Sequence, residues 1–154
     1  MLNFTPISFQ SSDGLALYAR DYAALADESR PLAPVPAHLP VICLHGLTRN
    51  SADFDELAPA IARMGRRVIA PDVRGRGHSA RDANPDNYNP NVYAEDVAKL
   101  LRDLGIARAV FVGTSMGGLI TMTLAMRHIE LIAGAVLNDV GPVLSTRGLA
   151  RIAG

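Results

Sequence analysis

Residues 109–118 read Ala-Val-Phe-Val-Gly-Thr-Ser-Met-Gly-Gly, and this stretch constrains the fold more than any other. An apolar, β-branched run ends at Gly113-Thr114-Ser115-Met116-Gly117, and an apolar helical pattern follows. That context fits G-x-S-x-G, the strand–turn–helix in which a sharp turn holds a serine exposed at the edge of a sheet. A serine hydroxyl is a poor nucleophile until it is held beside a base, with donors waiting for the oxyanion. Small residues at Gly113 and Gly117 let strand and helix approach closely, and Met116 N–H falls at the helix N-terminus. The competing reading is a glycine-rich turn with an incidental serine; the flanking periodicities and the upstream motifs favour the nucleophile.

The remaining elements alternate. Residues 4–10 and 15–22, split by Ser11-Ser12-Asp13-Gly14, predict an antiparallel opening hairpin. Residues 23–39 carry Pro31, Pro34 and Pro36, just ahead of Pro40, and predict a loop. Val41-Ile42-Cys43-Leu44 is a short apolar run, as expected of a strand covered on both faces. Phe54, Leu57, Ile61 and Met64 recur at helical spacing before Gly65, although Pro59 has to lie in a first turn. Val68-Ile69-Ala70 is the next strand. Asn89 is placed to cap a helix with Pro90 at its first position. In that helix Tyr93, Val97, Leu100, Leu101 and Leu104 share a face opposite Glu95, Lys99 and Arg102, and Gly105 ends it. Ala133 to Leu137 is the last strand. The expected class is α/β: a mostly parallel sheet with flanking helices and right-handed crossovers, opened by an antiparallel β-hairpin, in one domain over residues 1–154.

Composition excludes several function classes. Acidic and basic residues balance at 15 each, with no basic stripe for nucleic acid and no polybasic run for a membrane surface. No apolar stretch approaches the length of a transmembrane helix, and no amino-terminal signal is evident. The single cysteine, Cys43, sits in an apolar run and is expected to be a core residue rather than a nucleophile. With no second cysteine to pair it, a reducing compartment, the cytoplasm, is expected.

Two further loops gain meaning because each follows a strand, and ligands of parallel sheets bind beyond the carboxyl ends of strands. His45-Gly46-Leu47-Thr48-Arg49-Asn50 opens at the same edge as Ser115. A turn there can aim the Leu47 N–H at an oxyanion, giving a second donor beside Met116 N–H. His45 itself is expected to shape the turn rather than act as base. Pro71-Asp72-Val73-Arg74-Gly75-Arg76-Gly77-His78-Ser79 completes neither nucleotide-binding glycine pattern. Asp72 and Arg74 are expected to brace that loop, His78 has nothing local to orient it as a base, and His38 and His128 are expected at the surface.

Taken together, Leu44-His45-Gly46, Pro71 to Ser79 and Gly113 to Gly118 resemble the α/β-hydrolase superfamily in order and spacing, from about residue 5 to 142. The resemblance implies a serine hydrolase, a carboxylic-ester or lactone hydrolase acting on a small-molecule substrate. Ser115 would be the nucleophile, the Leu47 and Met116 amides the oxyanion hole, and no metal or organic cofactor would be needed. Serine at the elbow argues against the epoxide-hydrolase and haloalkane-dehalogenase branches, which carry aspartate there. In the superfamily the acid and then the histidine follow the nucleophile, the histidine after the last strand. Here only His128 follows Ser115, in or just beyond the nucleophile's own helix. The chain therefore resembles the amino-terminal portion of such a domain, with the carboxy-terminal strands, lid and catalytic-histidine segment expected elsewhere. The alternative is thus a truncated, catalytically incompetent half, or one dependent on a complementary carboxy-terminal half. Asp139, just past the last strand, stands where some members place the triad acid; Asn138-Asp139-Val140-Gly141-Pro142 is also a good turn, and a pocket-lining position is the favoured reading.

Overall fold

A computed structural model describes residues 3–25 and 38–141, so most of the proline-rich loop and the residues from Pro142 onward lie outside the described residues. The hairpin forms as expected, β1 (Thr5–Gln10) pairing antiparallel with β2 (Ala16–Tyr22). Pro6 is tolerated because β1 is an edge strand.

Four more strands complete a six-stranded sheet: β3 (Val41–Leu44), β4 (Val68–Asp72), β5 (Ala109–Thr114) and β6 (Ile132–Asn138), in the order β1-β2-β4-β3-β5-β6. β4, β3, β5 and β6 run parallel, while β2 joins β4 antiparallel. β3 and β4 are buried along their whole length, which is why neither shows polar alternation.

The helices cover the two faces unequally. α2 (Pro90–Asp103) and α3 (Met116–Arg127) pack on one face, where Tyr93, Val97, Leu101, Ile120 and Leu124 meet Ile42, Leu44, Ile69 and Phe111. α1 (Leu57–Arg63) covers the other with Ala58 and Ala62 against Val41, Cys43, Val68 and Ala70. Asn89 caps α2, its side chain accepting from the Asn91 and Val92 amides, and Pro90 follows at the first position. The helical spacing from Phe54 to Met64 is carried by a 3-10 turn, Ser51–Phe54, and then by α1, which begins late with Pro59 in its first turn as the sequence required. Pro59 lacks an N–H and fits only there.

Strand β6 lies at the sheet edge opposite β1, and its last four residues, Ala135 to Asn138, are exposed. No helix among the described residues is long and apolar enough to cross a membrane. Cys43 is fully buried, and desolvation pushes its thiol up to about 12, so it is a core residue.

Candidate active site

The carboxyl ends of β3, β4, β5 and β6 lie along one edge of the sheet and carry the loops singled out above. Ser115 links β5 to α3 with φ 52° and ψ −113°, a left-handed conformation that side chains rarely adopt. The turn is tight because glycines remove every side chain from its inner wall. A Cβ on Gly117 would stand 2.0 Å from the Leu44 carbonyl oxygen, and one on Gly113 2.5 Å from the Gly117 carbonyl oxygen. Gly118 is equally confined, 2.2 Å from Val140 Cγ1 by the same construction. The Ser115 amide donates to the Asn138 carbonyl at 2.9 Å, which ties the turn to the end of β6.

The loop after β3 is fixed by a histidine that has no free nitrogen. His45 is fully buried; its Nε2 accepts from the Val73 amide at 3.1 Å, so the proton resides on Nδ1, which donates to the Gly46 carbonyl at 2.8 Å. Burial lowers its pKa and keeps the ring neutral. The Gly46 carbonyl also accepts from the Arg49 amide at 3.1 Å. That carbonyl belongs to the same planar peptide as the Leu47 N–H, so holding the oxygen fixes the direction of the hydrogen. Gly46 sits against Ser115: a Cβ there would lie 3.7 Å from Ser115 Cβ. Among the described residues neither the Leu47 amide nor the Met116 amide donates a hydrogen bond within the protein.

The loop after β4 is braced by the two residues expected to brace it. Asp72 accepts from the Ser51 amide and the His78 amide, each at 2.7 Å, and Gly77 leaves room for its carboxylate. Arg74 is 1% exposed and binds three carboxylates, Asp96 at 2.7 Å, Asp82 at 2.6 Å and Asp13 at 3.0 Å. It thereby joins the hairpin turn, the loop and α2. The Arg74 hydrogen bonds, helped by Ser11, hold the Asp13 carboxyl down to about 2, whereas burial raises Asp96.

The histidines are not gathered at Ser115. His78 is exposed and its ring lies 4.8 Å from that of Tyr18. His128, expected at the surface, is half-buried because α2 supplies Glu95, whose carboxylate lies 3.0 Å from Nε2. His38 is exposed near Gly65, at the opposite end of the sheet. Among the described residues Ser115 Oγ has no hydrogen-bond partner. Asp139 is exposed beside the Ser115 turn and is, with Ser115, one of two non-glycine residues at positive φ among those described, at 55°. The cleft of about 350 Å³ between the hairpin and α1, lined by Phe4, Asp21 and Pro59 among others, opens at the other end of the sheet.

A mostly parallel sheet with a strained serine between β5 and α3 is the arrangement that the sequence motifs implied. Residues 40–152 match the family described as alpha/beta hydrolase fold. The chain belongs to that family. A solved alpha/beta hydrolase from Novosphingobium aromaticivorans superimposes with a TM-score of 0.84 at 47% identity, covering 99% of this chain and 50% of that one. The 3-hydroxybutyrate-oligomer hydrolase of Cupriavidus necator is 41% identical over 112 residues, 73% of this chain and 38% of its own length. The sn-1-specific diacylglycerol lipase ABHD11 of Mus musculus is 36% identical over 132 residues, 79% of this chain and 42% of its own. These α/β-hydrolase relatives are named as hydrolases and lipases, and this chain spans half or less of their length.

Sequence reasoning missed Arg76. Its Nε donates to the Leu47 carbonyl at 3.2 Å, and its Nη1 donates at 3.0 Å to both the Arg74 carbonyl and the Tyr93 hydroxyl. Nη2 reaches Met116 Sδ at 3.9 Å. Nothing local in Gly75-Arg76-Gly77 announces contacts with residues 17 to 40 positions away.

Proposed function

We propose that this chain supplies the nucleophile and the oxyanion-binding amides of a serine hydrolase that cleaves carboxylic esters or lactones through an acyl-enzyme. Ser115 Oγ attacks the substrate carbonyl and a histidine takes its proton. The Leu47 and Met116 N–H groups receive the developing oxyanion. Collapse releases the alcohol, which takes the proton back, and water then hydrolyses the acyl-serine. The observation that carries this reading is the backbone of Ser115, strained at the mouth of the β5–α3 turn beside two amides with no internal acceptor. Esterase and lipase relatives support the same class of small-molecule substrate.

A second reading has its own observation. Ser115 Oγ has no histidine partner among the described residues, and β6 offers an unpaired edge. In this reading the chain is the amino-terminal portion of the family domain and is catalytically incompetent until a complementary carboxy-terminal half brings the acid and the histidine. Asp139 then lines the pocket or serves as the acid. The setting for either reading is the cytoplasm.

Hydrolysis of p-nitrophenyl butyrate separates the two. Turnover by the 154-residue chain that disappears in Ser115→Ala supports a self-sufficient hydrolase. Turnover that appears only with a carboxy-terminal half, and still requires Ser115, supports the dependent half. Turnover unaffected by Ser115→Ala defeats both.

A further inference from the structure

Arg76 lacks the carboxylate that Arg20, Arg67 and Arg74 possess, whereas half-buried Arg66 donates to the Leu39 carbonyl at 3.0 Å. Arg20 is paired with Asp55, Arg67 with Asp21 at 2.7 Å and Arg74 with three aspartates. Arg76 makes no salt bridge with any described residue, although it is half-buried. Its guanidinium lies 5.4 Å from the ring centre of Tyr93 and 5.8 Å from that of Tyr88. Nε and Nη1 are occupied by oxygens, and Nη2 is left with a thioether sulfur, a weak acceptor.

The place of that unspent donor matters. Leu47 and Met116 are the two residues whose amides bracket the proposed oxyanion position, and Arg76 touches both. A guanidinium always carries its charge, and two tyrosine rings and neutral oxygens compensate it less well than a carboxylate. The two tyrosines and the two carbonyls also hold the side chain in one geometry, so little rotamer freedom remains to be lost on binding.

We propose that Arg76 is a substrate-binding residue and that the preferred substrates are acidic: esters that carry a free carboxylate a few atoms from the scissile carbonyl. The carboxylate accepts from Nη2 and supplies the counter-charge that the protein withholds, while the ester carbonyl lies toward Leu47 and Met116. This inference rests on the serine-hydrolase reading for the identity of the scissile group, but the anion site itself does not require turnover.

The test therefore uses the chain carrying Ser115→Ala, which binds without reacting. Monomethyl glutarate and dimethyl glutarate are titrated while NMR follows Arg76 Nε–H and the Leu47 and Met116 amides. The half-ester is expected to shift all three signals and to bind about tenfold tighter than the diester, as one charge-assisted hydrogen bond allows. Arg76→Gln should abolish that preference, and Arg76→Lys should retain part of it. Equal binding of the two esters, no shift from the half-ester, or a preference that survives Arg76→Gln overturns the proposal. The comparison of the two esters on the Arg76-containing chain stands whatever the fate of the Gln variant. A carboxylate preference in a chain whose Ser115 stays unreactive even when a carboxy-terminal half is supplied would refute the hydrolase reading and leave the anion site in place.

Discussion

His45 Nε2 accepts the Val73 amide at 3.1 Å, and this bond joins the loop after β3 to the loop after β4 across the interior of the molecule. It also decides the tautomer, because a nitrogen that accepts cannot carry the proton. The opposite nitrogen is left to orient the Gly46 peptide, and through it the Leu47 N–H. His45 thus acts on the site through backbone direction, and it cannot also serve as a base at Ser115.

A pH dependence follows from its burial. The folded-state pKa of His45 lies below the ordinary 6.5, so only the unfolded chain takes up a proton as pH falls below that value. His45 therefore supports stability fully above pH 6.5, and that support declines as pH drops toward its folded value. The slope from one such group is at most about 1.4 kcal/mol per pH unit. Urea unfolding at pH 7.5 and 5.5 should show the wild-type chain losing stability that His45→Gln does not lose. Parallel losses in both proteins would mean that another group titrates.

A glycine of the elbow and the glycine that ends α2 differ in what they tolerate. Gly117→Ala drives a methyl into the Leu44 carbonyl and should cost about 3 kcal/mol or more, since neither backbone can withdraw. Gly105→Ala meets nothing within 4 Å and pays only for φ +67°, about 1 kcal/mol. Denaturant midpoints of the two variants should differ in that order; similar losses would contradict the close approach of α3 to β3.

Strain at Ser115 is open to a direct comparison. Ser115→Ala keeps a Cβ in the φ 52° conformation, whereas Ser115→Gly relieves it. The glycine variant should be the more stable of the two by about 1 kcal/mol, after the entropic cost of glycine is set against relief of the strain. Equal stability, or a more stable alanine variant, would mean that the turn stores no strain.

Much of this architecture is legible in the residues themselves. Asn89-Pro90, the apolar spacing from Tyr93 to Leu104 and Gly105 specify α2, because caps and helical periodicity are local. The Ser115 turn is legible for the same reason: its glycines and flanking strand and helix are contiguous. What stays hidden depends on long-range placement. Glu95 draws His128 inward from a neighbouring helix, and Arg76 reaches four residues scattered along the chain. The antiparallel seam between β2 and β4 is likewise hidden, since no pattern within a strand names its neighbour.

The Arg74 cluster yields a prediction that separates charge from packing. Arg74→Met removes the cation while keeping an apolar stem, leaving Asp96 buried without its partner. The loss should be about 3 kcal/mol, at the low end for a buried pair because Asp13 remains largely in water. In a carboxyl-carbon NMR titration of a folded Arg74→Met chain, Asp13 should rise from about 2 toward its ordinary 3.8. An unmoved Asp13 would show that Ser11, not Arg74, sets its acidity.

We propose that Ser115 is the nucleophile of a site completed by a histidine from the carboxy-terminal part of the family domain. The most direct measurement is mass-spectrometric mapping of a fluorophosphonate adduct, on the 154-residue chain alone and on the chain fused to the carboxy-terminal half of the Novosphingobium aromaticivorans hydrolase. The account predicts slow labelling of the chain alone, because an unassisted serine keeps its proton. It predicts rapid labelling of the fusion, with the adduct on Ser115 and lost in Ser115→Ala. Brisk labelling of the isolated chain at Ser115, abolished by His45→Ala or His78→Ala, would contradict it by placing the base among the histidines already present.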